Sequence, residues 1–523
     1  MKIKKTFSLL LILALAFGPV AAKAEEPESK VKYVFLFIGD GVSFPQRTAA
    51  EYYKANLDSP RHFDDLIGRA KKKISKETGV TTFKPGASRL LMNSLPVQGV
   101  SSTYSVNSVI TDSAAAATAI ATGRKTRHGV LAMSPDLKEK YTSMATMAKA
   151  KGRKVGIITS VSLDHATPAA FYANQPSRIS YYEIACQIPA SGFDFFGGGG
   201  FKQLKNTIEA KHVLTVLEEA GYTIARSKSA IEALGQGDLK AVAINQNLDQ
   251  EKALPYAVDS KAEDLSLAGF VNKGIELLDS PDGFFMMIEG GKIDWACHAN
   301  DALSAIKDVL ALDEAVAVAY GFLQKHPDET LIVVTGDHET GGMAVGFAGT
   351  RYDSFLEYLA VQNGSHFAFT KKLDEMKKDG PLTMEKIYPA INEFFGLKLF
   401  SESELKWLNK KAASGDLKAI RELAFALQPY EVENLQRALI MSKAKISERS
   451  KNDYAFIARF GYYDPLTSML TQILNNKAGI GWTTFAHSGL PTPVSAAGSG
   501  AESFAGYYDN TDIFHKIVEI AGY

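Results

Sequence analysis

Three stretches of the chain carry an apolar run into an acid and a glycine: Phe35-Leu-Phe-Ile-Gly-Asp40-Gly41, Phe285-Met-Met-Ile-Glu289-Gly290-Gly291 and Ile332-Val-Val-Thr-Gly-Asp337-His338-Glu339. A single ending of this kind reads as an ordinary turn. Three together, one with a histidine attached, point to a cation site, since imidazole with carboxylate is a zinc donor set and oxygen alone suits magnesium. Downstream of Glu289, in GGKIDWACHAND, Asp294 and His298 stand four residues apart. On a helix that spacing sets both side chains on one face, about 5–6 Å apart. An isolated pair would be a surface hydrogen bond. With Glu289, two glycines and the small Cys297 beside it, chelation is the better reading. Asp40, Glu289, Asp294, His298, Asp337 and His338 are too many donors for one tetrahedral zinc, so more than one ion is expected.

Two cations about 3.5–4 Å apart are a recurrent device for displacement at phosphorus. The candidate nucleophile is Ser113, in ITDSAAAATAIATG. A serine hydroxyl needs a base or a metal to become a nucleophile at neutral pH. No G-x-S-x-G elbow surrounds it, so the usual serine-hydrolase setting is missing. The alanines would let a substrate come close, and the positive end of a helix attracts phosphate. Asp112 or Ser113 can cap that same helix without conflict.

These residues need elements to hold them. Lys32–Ile38, Lys154–Thr159, Phe284–Ile288 and Thr330–Val334 read as buried strands, and helical patterns such as Ser143–Ala150 and Ala262–Leu278 lie between many of them. Alternation of this kind predicts an α/β fold, a central largely parallel β-sheet flanked by helices, which binds ligands at the C-terminal edge of its strands. The glycine-rich stretch FDFFGGGG, residues 193–200, reads as a loop where backbones pass closely. From about Gly349 to Ala478 helix signals follow one another, including Ser401-Glu-Ser-Glu404 as a capping box, and predict a mostly helical insertion within the α/β domain.

Lys plus Arg and Asp plus Glu both count 58, so no global field recruits nucleic acid or an anionic membrane. Any anion must be held locally. Residues 1–24 have a secretory layout: Lys2, Lys4 and Lys5, an apolar run, then Ala22-Lys23-Ala24. Cleavage after Ala24 would leave a periplasmic or secreted protein of residues 25–523, with no other run long enough for a membrane span. Cys186 and Cys297 allow one bridge but read as small unpaired residues.

Taken together the motifs resemble the alkaline phosphatase family. Thr111 to Thr118 (TDSAAAAT) is similar to its phosphorylated-serine signature, and FIGDG, MIEGGKID-x-x-x-H, TGDHE and a late His487 in TFAHSG follow in the family's order. The resemblance runs from about Val31 to Ser488. It adds Thr167, in the segment Ser162–Ala170 (SLDHATPAA), as a magnesium-binding threonine, and Arg178 as the phosphate-binding arginine. Carried over, it implies two zinc ions and one magnesium: one zinc on Asp294, His298 and His487; the second on Asp40, Asp337, His338 and Ser113; magnesium on Asp40, Thr167 and Glu289. It implies hydrolysis of phosphate monoesters through a phosphoserine on Ser113, release of inorganic phosphate, and a homodimer. His165 and Trp295, which stand where the best-known enterobacterial form has aspartate and lysine, resemble marine bacterial members; both are expected beside the metals, as is Asp112. The alternatives are a phosphodiesterase of the same superfamily and a zinc- or phosphate-binding protein without catalysis.

Overall fold

The computed structural model describes residues 30–58, 88–443 and 453–523. The leader expected over residues 1–24 lies outside them. The described residues form fourteen strands: β1 (Tyr33–Gly39), β2 (Val97–Ser102), β3 (Lys154–Thr159), β4 (Phe195–Gly198), β5 (Thr223–Ala225), β6 (Ala241–Ile244), β7 (Phe284–Gly290), β8 (Thr330–Gly336), β9 (Glu339–Thr340), β10 (Ala344–Val345), β11 (Ile480–Gly481), β12 (His487–Ser488), β13 (Thr492–Gly498) and β14 (Gly506–Asp509). Ten form one sheet in the order β14-β2-β13-β8-β1-β7-β3-β4-β6-β5. Only β13 runs against its neighbours. The short pairs β9/β12 and β10/β11 make two separate ribbons.

The four strands expected from their apolar runs all form, because strands covered on both faces read as continuous hydrophobic runs rather than alternating ones. Along β1, Phe35 and Phe37 enter the core shared with the helix Ala302–Leu323, while Val34, Leu36 and Ile38 enter a second core with the helices Ser113–Thr122 and Asn510–Ala521. All seven β1 residues are buried. Burying one such side chain contributes about 1.5–3 kcal/mol, so this strand is anchored from both sides.

Register then sets the site. Gly39 pairs with Gly290 of β7 on one side and Gly336 of β8 on the other. Thr159, the last residue of β3, pairs with Glu289. Asp40, Glu289 and Asp337 therefore leave the sheet together at its C-terminal edge.

The FDFFGGGG stretch is a correction. Phe195–Gly198 is strand β4, not a loop, although the close backbone approach is there: a Cβ on Gly198 would lie 1.8 Å from the Thr159 carbonyl oxygen. Four consecutive glycines hide a strand from any reading based on side-chain pattern. The helix expected from Ala262 begins later, at Leu267, where the Ser266 hydroxyl accepts the Gly269 N–H and caps it.

Between β10 and β11 the described residues form helices only, and the box Ser401–Glu404 caps the helix Glu402–Ala413 reciprocally. Among the described residues no helix is long and apolar enough to cross a membrane. Cys186 and Cys297 are unpaired.

Candidate active site

The site is assembled from strand ends and the helix starts that follow them. The helix Lys292–His298 begins directly after Gly291, and its single turn brings His298 Nε2 to 3.3 Å from Asp294 Oδ1. His487, on β12, adds its Nε2 at 3.5 Å from the same oxygen and 3.1 Å from His298 Nε2. The far nitrogens of both rings are tied to backbone: His298 Nδ1 to the Phe485 carbonyl at 2.6 Å and His487 Nδ1 to the Thr111 carbonyl at 2.7 Å. Those contacts place the hydrogen of each neutral ring on Nδ1 and leave Nε2 facing inward, the arrangement of a metal-binding histidine.

A second group centres on His338, whose Nε2 lies 3.4 Å from Asp40 Oδ1, 3.3 Å from Asp337 Oδ2 and 3.2 Å from the Ser113 hydroxyl. Ser113 opens the fully buried helix Ser113–Thr122. Asp112 caps it, accepting the Ala115 N–H, while its other oxygen accepts Arg178 Nη1 at 3.1 Å. One carboxylate thus caps the helix and holds Arg178. Arg178 Nη2 lies 3.4 Å from His165 Nε2.

The third group joins Asp40, Glu289 and His165, with ligand atoms within 4.8 Å of one another. Thr167 lies in it too, its hydroxyl 3.4 Å from Asp40 Oδ2. Trp295 stands edge-on to His165 at 5.8 Å between ring centroids. His165, expected only beside the magnesium, thus sits at donor distance among that group; the chain reversal before the helix Ala166–Ala169 swings it inward. Gly41 makes the packing workable, for its φ is +73° and a Cβ would lie 2.9 Å from Asp294 Cα.

Electrostatics show what this gathering requires. Burial, then the neighbouring Asp337, Asp294 and Glu289, raises Asp40 well above the carboxylate range. Burial likewise raises Asp337 well above it and lifts Glu289 to about 7. Burial works against Asp294 as well, yet the imidazoles of His298, His487 and His338 hold it well below its usual value. Burial lowers His165 to about 3 and His338 well below the ordinary histidine range. The carboxylate atoms Asp40 Oδ1, Glu289 Oε1 and Asp337 Oδ2, with His165 Nδ1, are buried and have no hydrogen-bond partner. Burial works against a charge on His298, yet Asp294 raises it to about 9, so four acids and four imidazoles face one another with lone pairs unsatisfied and only Arg178 and the His298 imidazolium for positive charge. That donor set fits divalent cations, which supply the missing charge.

The family follows from this architecture together with the sequence. The alkaline phosphatase family model matches residues 31–217 and 244–523.

The chain belongs to the alkaline phosphatase family.

Alkaline phosphatase 3 of Bacillus subtilis is 26% identical over 539 residues, covering 99% of this chain and 97% of that protein. A cold-active alkaline phosphatase from a psychrophilic Shewanella species superposes with a TM-score of 0.68 at 25% identity, covering 94% of this chain and 99% of that one. A histidine-to-glutamate variant of alkaline phosphatase TAB5, with Mg bound in its M3 site, shares the fold at a TM-score of 0.57 and 22% identity, covering 95% of this chain and 99% of that one. This family is one of phosphatase enzymes, and the chain is a phosphatase.

The structure brings the residues singled out from the sequence to one place, and it adds several that hold them and that the sequence did not single out. Thr340 donates its hydroxyl to Asp294 Oδ1 at 2.5 Å and lies 3.3 Å from His338 Nδ1. Thr159 donates to Glu289 Oε2. Gln46, Glu339 and Ser488 form a buried network behind β9 and β12. Glu339 closes the quoted TGDHE motif, Thr340 follows it and Ser488 lies inside TFAHSG, so closeness to the motifs was the available signal.

Proposed function

We propose that this phosphatase hydrolyses phosphate monoesters through a covalent phosphoserine on Ser113. The observation that carries the reading is the position of the Ser113 hydroxyl, at a helix N-terminus, 3.2 Å from His338 Nε2 and within reach of the buried Asp40 and Asp337. Asp294, His298 and His487 would hold one zinc; Asp40, Asp337, His338 and Ser113 the second; Asp40, Glu289 and Thr167 magnesium. The magnesium bound to the TAB5 variant supports a third cation position in this fold. When bound, these cations supply positive charge that favours the deprotonated serine and stabilises the departing alcohol oxygen.

The protein's own groups do the rest. Ser113 Oγ attacks phosphorus in line; the P–O bond to the alcohol breaks, and the alcohol leaves with a proton. Arg178, steadied by Asp112, presents its fork to two non-bridging oxygens, and the helix N-terminus adds its dipole. Water then attacks the phosphoserine from the same side the alcohol left, returning Ser113 and inorganic phosphate. His165, with its pKa lowered to about 3, stays neutral beside this site and offers a nitrogen donor where an oxygen donor would favour magnesium more strictly.

Secretion through cleavage after Ala24 and a homodimer with residues 349–478 over the interface or rim complete the proposal; light scattering that finds a monomer at working concentration would refute the dimer. The mechanism is tested by acid-quenching the enzyme with a radiolabelled phosphate monoester. Parent protein should carry label on Ser113 and Ser113→Ala none. Full p-nitrophenyl phosphate hydrolysis by Ser113→Ala would sink the covalent route.

A further inference from the structure

Glu339 has no place in the reaction above, yet it is fully buried beside it. Its Oε1 accepts Gln46 Nε2 at 2.7 Å and the Met343 N–H at 3.1 Å; its Oε2 accepts the Ser488 hydroxyl and the Gly342 N–H at 3.1 Å. Four donors converge on two oxygens. Gln46 also donates to the Thr340 carbonyl at 3.0 Å and accepts the Ser43 N–H at 2.9 Å.

These bonds join three segments that each carry ligands. Gln46 lies on the helix Phe44–Asp58 that follows Asp40. Glu339 is one residue from His338 and two from Asp337. Ser488 is next to His487. The backbone link between the last two segments is the ribbon β9/β12, where Thr340 pairs with His487 and Glu339 with Ser488. Two residues a side make a marginal pairing, since isolated two-stranded ribbons have little stability of their own. The buried carboxylate supplements it with the Ser488 hydroxyl and the Gln46 amide. His338 and His487, one from each proposed zinc group, stack at 3.7 Å between centroids, 21° from parallel.

We infer that Glu339 is a positioning residue that fixes His487 relative to His338 through Ser488 and Gln46, and so sets the affinity and geometry of the zinc held by Asp294, His298 and His487. The inference rests on the zinc assignment proposed above. The plain alternative is a brace for the turn Glu339–Met343, which the two backbone N–H bonds alone would provide. That role gives the Ser488 and Gln46 bonds no function in metal retention.

The test uses Glu339→Gln and Ser488→Ala. Glutamine keeps the shape but turns one acceptor into a donor facing donors; alanine removes only the tie to the His487 strand. Zinc retention is measured by competition with a chelator of known affinity, and the site is monitored by the visible spectrum after cobalt substitution. The expected result is about 10- to 100-fold weaker retention of one zinc in Glu339→Gln, a smaller loss in Ser488→Ala, and an altered cobalt spectrum in both. Parental zinc retention and a parental spectrum in the two variants overturn the inference, even if melting temperature falls. Should Glu339→Gln fail to fold, Ser488→Ala decides alone. A parent protein that binds no zinc refutes the metal assignment itself, and this inference with it.

Discussion

Replacing Thr340 by valine isolates one hydrogen bond at the heart of the site. Thr340 and Asp294 are both buried, and the hydroxyl lies 2.5 Å from Asp294 Oδ1, the oxygen that His298 and His487 also approach at 3.3 Å and 3.5 Å. Valine fills nearly the same space, so packing changes little while the bond is lost. A hydrogen bond to a charged group contributes about 1.5–3 kcal/mol, and at about 1.4 kcal/mol per decade this sets an upper range of roughly 10- to 150-fold. Because some of that bond also exists before the cation binds, the expected loss of zinc affinity is the lower part, about 10- to 100-fold. Chelator competition reads the affinity, and thermal melting of the metal-free protein controls for folding. The second contact, 3.3 Å from His338 Nδ1, adds loss at the neighbouring group in the same direction. Zinc affinity within about twofold of the parent, with an unchanged melt, would show that Asp294 is oriented by its helix alone and that the bond is incidental.

Arg178→Ala should raise KM for phosphate monoesters by about 10- to 100-fold, with Arg178→Lys recovering only part because a point charge cannot replace a two-pronged donor; steady-state kinetics on both variants checks this. Asp112→Asn should keep the helix cap and the melting temperature but raise KM, whereas Asp112→Ala should also cost about 1 kcal/mol of stability through the lost cap; equal melts for the two would refute the capping role. Cation loading of the metal-free protein should weaken with acidity. Burial holds Glu289 at about 7, so the proton competes with the cation below that pH, and from about pH 7.5 to about pH 5.5 this group alone should weaken magnesium binding by about 25-fold. Asp40 and Asp337, raised by burial and crowding, act in the same direction. Calorimetric titration at the two pH values measures it, and equal affinities would contradict the burial argument.

Much of the fold was legible because its decisive elements are local. A strand covered on both faces must be apolar throughout, so YVFLFI, FFMMI and TLIVV announce themselves, and Asp294 and His298 share a helix face by spacing alone. What the pattern lacked were strands without side-chain signal. β4 is two phenylalanines running into two glycines, and β2 and β13 carry serine, threonine and glycine into the sheet. The partners of β2, on β13 and β14, lie hundreds of residues away, and no local preference encodes that.

The sequence by itself determined which chemistry is available: acids at strand ends, an acid and a histidine one helical turn apart, a serine at a helix start and a formal net charge of zero. Only the tertiary structure decided how those groups divide. Asp40 falls between the Asp337–His338 group and the Glu289–His165 group because β1 is flanked by β7 and β8 in register, and His165 joins Asp40 and Glu289 because the chain turns back just before it. Thr340, Glu339 and Gln46 gained their roles the same way, as donors and acceptors that burial forces to find partners across distant segments. Residue type and spacing encode the donors; the register of parallel strands and the cost of leaving a buried polar atom unpaired determine what each donor faces.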